Sequence, residues 1–186
     1  MAVRITVLAL FVTAMCSTAA AQVRLAPAPP PPSKPDPAPL YEQAYKYDLG
    51  EGAAHDSAKA LALYRQAADL GHTDAMLRLG YLYENGRAVP LDHAQAAEWY
   101  RRAADLGQSK AMFMIGACYW AGRGVPEDLV EAHRWIDLAA TYATGREQDT
   151  AVNARTALAR VLTPEQIEEA KKRARAWIIS FENRKD

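Results

Sequence analysis

The sequence holds only two cysteines, Cys16 and Cys118, and four histidines, and its charge has no excess of either sign, with 22 basic against 22 acidic residues. Each shortage excludes something. Cys16 lies in the N-terminal apolar run, which leaves Cys118 alone in the remainder, so no internal disulfide holds the fold and packing must. Cys118 itself stands in an apolar helical stretch and reads as a small buried hydrophobe rather than a reactive thiol. His55, His72, His93 and His133 fit no His-Glu-x-x-His or comparable ligand spacing, so neither a metal nor another cofactor is expected. The missing basic surplus removes the electrostatic signature of a nucleic-acid binder. Serine is scarce as well, and Ser57, Ser109 and Ser180 lie in no Gly-x-Ser-x-Gly or Ser-x-x-Lys context. Without a Gly-rich phosphate loop either, no catalytic residue is expected.

Long apolar runs are absent except near the start. Ile5 to Met15, preceded by Arg4 and followed by Ala19-Ala20-Ala21, is too short for a stop-transfer helix. It reads as a secretory signal over residues 1–21, cut after Ala21, which makes the mature chain periplasmic or secreted and without a transmembrane segment. Cys16 leaves a lipoprotein alternative open, although Met15 stands where a lipobox carries a small residue. Residues 22–39 hold eight of the eleven prolines and read as an extended spacer. Short Pro-x-x-Pro runs within it offer the alternative of a ligand for another protein's aromatic groove.

What the chain has in abundance is repetition. At a spacing of 36 residues Ala75 returns as Ala111, Gly80 as Gly116, Tyr83 as Tyr119, Gly86 as Gly122, Pro90 as Pro126, Asp92 as Asp128 and Trp99 as Trp135. An earlier copy runs through Tyr47, Gly50, Asp56, Tyr64 and Ala67-Ala68-Asp69-Leu70-Gly71. In the middle copy Thr73 or Asp74 can cap a first helix whose stripe is Ala75, Leu79, Leu82 and Tyr83, ended by Asn85-Gly86. Gly80, about 1 kcal/mol worse than Ala inside a helix, recurs in register and so marks a close helix approach. Asp92, with Gln95 three residues on, predicts a capping box that Asp128 and Glu131 repeat. Ala96, Trp99, Tyr100, Ala103 and Ala104 give the second helix its buried stripe. Each unit is a helical hairpin that cannot cover its own apolar face, so neighbours must stack.

The order Ala-x-x-x-Leu-Gly-x-x-Tyr-x-x-Gly, Val-Pro-x-Asp, Ala-x-x-Trp-Tyr-x-x-Ala-Ala-x-x-Gly closely resembles the Sel-one-like repeat (SLR), a relative of the tetratricopeptide repeat. The resemblance covers Leu40 to about Ala143, with Ala44 and Leu63 in the first copy replacing the repeat's Gly and Trp. It implies an all-α fold, a right-handed α-α superhelix of three hairpins over residues 39–74, 75–110 and 111–146, closed by capping helices within 147–186. There, a helix is expected over Asp149 to Val161, and Thr163-Pro164-Glu165-Gln166 opens another with an apolar face from Ile167 to Phe181. That ending resembles exported bacterial SLR proteins.

The resemblance also implies the kind of work. A non-catalytic scaffold or adaptor of the cell envelope is expected, with a protein or peptide partner on the concave side that first helices line. Off-stripe positions there change between copies: Glu42, Arg78 and Met114 in one register, Tyr45, Tyr81 and Ala117 in the next, Asp48, Glu84 and Trp120 in the third. Glu42, Tyr45, Arg78, Tyr81, Met114 and Trp120 are therefore the candidate partner-binding residues, of types enriched at interface centres. Packing between repeats is the competing role for Tyr45 and Trp120. Two alternatives stand beside the scaffold. One is a structural envelope spacer. The other is a penicillin-binding or β-lactamase-like enzyme, as linked to cysteine-rich SLR proteins, whose cysteine pair in each repeat this chain lacks.

Overall fold

The computed structural model describes residues 35–51 and 54–184, so the expected signal over residues 1–21, Cys16 and the proline-rich residues up to Lys34 lie outside the described residues. Eight helices follow in order among the described residues: α1 (Ala38–Leu49), α2 (Ser57–Asp69), α3 (Thr73–Asn85), α4 (His93–Asp105), α5 (Ser109–Ala121), α6 (Leu129–Tyr142), α7 (Gly145–Ala159) and α8 (Pro164–Glu182). They pair as antiparallel hairpins α1–α2, α3–α4 and α5–α6, and each hairpin stacks on the next, giving an α-α superhelix with no strand among the described residues.

Small residues set the spacing within each hairpin. Alanines at Ala60, Ala67, Ala68, Ala96, Ala103, Ala104, Ala132 and Ala139 are buried and let helix backbones approach, while Tyr64, Tyr100, Leu79, Met112, Ile115 and Ile136 fill the space between. Gly80 behaves as its recurrence suggests: a Cβ there would run into the Tyr100 ring, and one at Gly116 would lie 2.6 Å from Ile136 Cγ1. The first helices end at left-handed Gly50, Gly86 and Gly122, whose amides return to carbonyls one turn back.

The helix starts differ from the expected ones in two ways. The caps of α3 and α5 are His72 and Gln108, not Thr73 or Asp74; His72 Nδ1 accepts the Ala75 amide at 3.3 Å and Gln108 Oε1 accepts that of Ala111 at 3.2 Å. Asp92 and Asp128 do cap α4 and α6, each accepting two amides at 2.9–3.0 Å. Their boxes are not closed by Gln95 or Glu131, because each cap's own amide already donates to a carbonyl of the preceding helix, Asp92 to Tyr83 at 2.9 Å and Asp128 to Tyr119 at 3.1 Å. Glu131 is thereby released to pair with Arg134 at 2.7 Å and Arg173 at 2.8 Å. Within the expected stripes Tyr83 and Trp99 are only half-buried.

Beyond α6 the pattern changes. α7 starts at Gly145, one turn earlier than the expected Asp149, after a Thr144 that makes no side-chain cap bond. α8 has the full capping box of Thr163 and Gln166, with Pro164 in its first turn. Its apolar face turns back over α6 to the end of α4. Trp177 packs edge-on against Trp135 at 6.1 Å and donates through Nε1 to Asp105 at 3.3 Å, and Phe181 lies on Gly107.

Candidate functional site

The odd-numbered helices carry a row of recesses. Between α1, α3 and the start of α5 lies one lined by Tyr41, Tyr45, Asp74, Leu77, Arg78, Tyr81 and Lys110. It continues on one side into a cavity bounded by Asp48, Asn85 and Arg87, and on the other into one between α5 and α7 lined by Phe113, Met114, Ala139, Ala143, Glu147 and Ala151. Arg78 and Tyr81 border the first two, and Tyr81 with Lys110 the first and third, so these are compartments of one groove.

The helix period explains the lining. On α3 the residues Asp74, Leu77, Arg78 and Tyr81 stand at i, i+3, i+4 and i+7 and so share one face. Arg78 is half-buried, its guanidinium 5.2 Å over the Tyr45 ring, and Tyr41 lies in stacked contact with the His72 cap at 4.5 Å. Tyr81 stands edge-on to the buried Tyr100 ring at 5.7 Å, and burial pushes its hydroxyl above the ordinary tyrosine range. At the α5–α7 end Lys110 Nζ and Glu147 Oε1 meet at 2.9 Å across the groove.

The candidates separate on this face. Tyr45, Arg78, Tyr81 and Met114 are brought together along the groove. Glu42 is exposed on α1 beside Gln43, Lys46 and Tyr47, away from the others. Trp120 lines none of these recesses and is 38% exposed near the end of α5. Its register explains this: Asp48 and Glu84 accept the hydroxyls of buried Tyr64 and Tyr100 at 3.4 and 2.7 Å, whereas the third copy has Ile136 in place of the tyrosine and Trp120 in place of the acid. Tyr41, Leu77, Phe113, Lys110 and Glu147 were missed. Tyr41, Leu77 and Phe113 share a register two positions after Pro39, Ala75 and Ala111, and a large apolar or aromatic residue there in all three copies was the signal available.

Chemistry of other kinds finds little to work with here. No group of three potential metal ligands occurs among the described residues. Cys118 is buried, and desolvation raises its thiol to about 11, so it is protonated and unreactive at neutral pH. Among the described residues no helix is long and apolar enough to cross a membrane.

Comparison with known proteins agrees with the repeat. A family model described as "Sel1 repeat" matches residues 40–72, 73–108 and 109–141. The chain is similar to a Sel1 repeat protein from Oxalobacter formigenes, with 31% identity over 63% of this chain and 89% of that one and a TM-score of 0.58. It is similar to a protective antigen of uropathogenic Escherichia coli displaying an SLR fold, with 25% identity, 78% of this chain and 38% of that one covered, and a TM-score of 0.54. Cysteine rich protein B of Helicobacter pylori shares the fold, with 21% identity over 64% of this chain and 97% of that one and a TM-score of 0.51. Among curated proteins there is no match.

Proposed function

This chain belongs to the Sel1 repeat family, whose stacked hairpins form scaffolds for protein–protein interaction, and on that premise we propose that it is a non-catalytic adaptor of the cell envelope whose partner docks on the concave face lined by α1, α3, α5 and α7. The observation that carries the reading is the continuity of the groove: Arg78, Tyr81 and Lys110 each border two or more compartments, so one elongated ligand could occupy all of them. Sequence variation supports it. Positions that hold hairpins together repeat, as Gly80 and Gly116 or Asp92 and Asp128 do, whereas Arg78 becomes Met114 and Glu42, and Tyr81 becomes Ala117 and Tyr45. Export rests on the signal-like residues 1–21, and the proline-rich residues ahead of α1, which itself takes in Ala38 and Pro39 of the expected 22–39 spacer, then serve as a spacer ahead of the repeats.

The test is capture from an envelope extract of the native cell by the wild-type chain, the double variant Arg78→Ala/Tyr81→Ala, and Asp92→Ala. The double variant should lose the captured partner while staying folded, with only the modest fall in melting temperature that losing the Tyr81–Tyr100 and Arg78–Tyr45 contacts entails. Asp92→Ala should keep the partner and lose a cap worth about 1 kcal/mol. Capture unaffected by the double variant contradicts the docking face. Turnover of a chromogenic β-lactam by the purified chain contradicts the non-catalytic role.

A further inference from the structure

Along the groove, most charges are already matched. Lys110 is neutralised by Glu147 at 2.9 Å, Asp74 accepts the Gln108 side-chain amide at 3.0 Å, and Asp48 accepts the Tyr64 hydroxyl. Arg87, near the end of α3, is exposed and solvated. Arg78 differs from all of these. It is half-buried, and among the described residues no carboxylate forms an ion pair with it, Asp48 across the neighbouring compartment acting on it only from beyond ion-pair distance. The guanidinium lies over the Tyr45 ring and shares a side-chain hydrogen bond with Tyr41, which leaves the rest of its five in-plane N–H donors for another group. Such a fork is matched best by a carboxylate, taken through two parallel hydrogen bonds. The compartment next to it, sharing Tyr81 and Lys110 as walls, is a mostly apolar hollow of about 170 Å³ with Phe113, Met114 and Ala151 in its lining, the size for one aliphatic side chain.

Resting on the docking-face reading above, we infer that the occupant of the groove is an acidic peptide segment, its Asp or Glu carboxylate seated on Arg78 and an apolar side chain of the same segment in the hollow between α5 and α7. Charge complementarity selects the acid, and the hollow fixes the direction in which the segment runs, from α1 towards α7. The Lys110–Glu147 pair spans the hollow and would set its entrance.

Random dodecapeptides displayed on phage, panned in parallel on the full chain and on Arg78→Gln, test this. The wild type should enrich peptides with Asp or Glu at a fixed distance from Leu, Met or Phe. A synthetic consensus peptide should bind Arg78→Gln roughly tenfold or more weakly, the scale of a charge-assisted hydrogen bond. Changing the acid to its amide should cost the same, and the two losses should not add. Arg78→Lys, which keeps the charge without the fork, should recover part of the affinity and keeps the test decisive if Arg78→Gln melts early. Enriched peptides lacking an acidic position, or equal binding to Arg78→Gln with loss on Tyr81→Ala or Met114→Ala, overturn the acidic occupant and leave the docking face standing. Binding insensitive to all these variants overturns the docking face too. No enrichment at all overturns a linear peptide as the occupant.

Discussion

Ala88 is held at φ 62, the only non-glycine with positive φ among the described residues, in the loop position that the next copy fills with Gly124 at φ 72. A left-handed conformation costs an L-residue about 1–2 kcal/mol, so Ala88→Gly should stabilise the chain by about 1 kcal/mol, a rise of roughly 3 °C in melting temperature for a protein of this size. The reverse change at Gly124 meets a second obstacle, since its Cβ would run into the His93 carbonyl. Gly124→Ala should lose on the order of 2 kcal/mol in the same melting experiment. His133 gives a pH signature. It is 2% exposed at a position held by Leu61 and Ala97 in the other copies, and its Nδ1 has no partner. Burial lowers its pKa; Asp137 opposes this, and Arg155 and Lys171 add to it. The folded chain therefore binds this proton less readily than the unfolded chain. Stability is retained above the unfolded histidine value near 6.5 and falls as the pH drops below it, by at most about 1.4 kcal/mol per pH unit. Melting from pH 7.5 to 5.5 should show a steeper decline in wild type than in His133→Leu; parallel curves contradict a neutral buried histidine.

At the scale of the element, α8 is the piece whose loss should matter most. It covers the side of α6 that no further repeat covers, stacking Trp177 and Phe181 at 4.7 Å and setting both edge-on to Tyr142. Trp177→Ala should cost about 3–5 kcal/mol. Truncation after Val161 should leave Trp135 and Leu158 facing water and cause aggregation or a clear fall in melting temperature; an unchanged melting curve means that α8 is a tail rather than a lid. This element was legible in the sequence because Thr163-Pro164-Glu165-Gln166 states both its start and its cap. α7 was less so. Its first turn, Gly145-Arg146-Glu147-Gln148, is polar and exposed and carries no capping bond, so neither periodicity nor a cap residue announced it. Yet α7 keeps the repeat's phase in one contact. Arg65 and Arg101 donate to Tyr83 and Tyr119 at 2.7 and 3.4 Å, and the next pair in register is Arg155 to Asp137 at 2.7 Å, with the polarity reversed. The hairpin caps His72 and Gln108 were missed because Thr73, Asp74 and Ser109 are the commoner cap types and stand one or two places later.

For the whole molecule, the stacking of hairpins puts successive odd helices side by side, and only this brings Tyr45, Arg78 and Met114, one residue from each of three helices, onto one groove. Register in the sequence was enough to bring these three out. It could not show that Glu42 stands apart, that Trp120 is displaced by the loss of the tyrosine–acid pair, or that Lys110 reaches Glu147, because those depend on α7 and on side-chain partners in other copies. The proposed partner lies on the α1–α3–α5–α7 face and not on the even helices. The most direct measurement replaces Tyr45, Met114 or the exposed Glu98 of α4 with a photo-crosslinking amino acid, irradiates the cells, and follows crosslinked species by mass spectrometry. Adducts with the same partner at positions 45 and 114 and none at position 98 are predicted. Adducts at position 98, with positions 45 and 114 silent, would place the partner on the even helices and contradict docking on the odd ones.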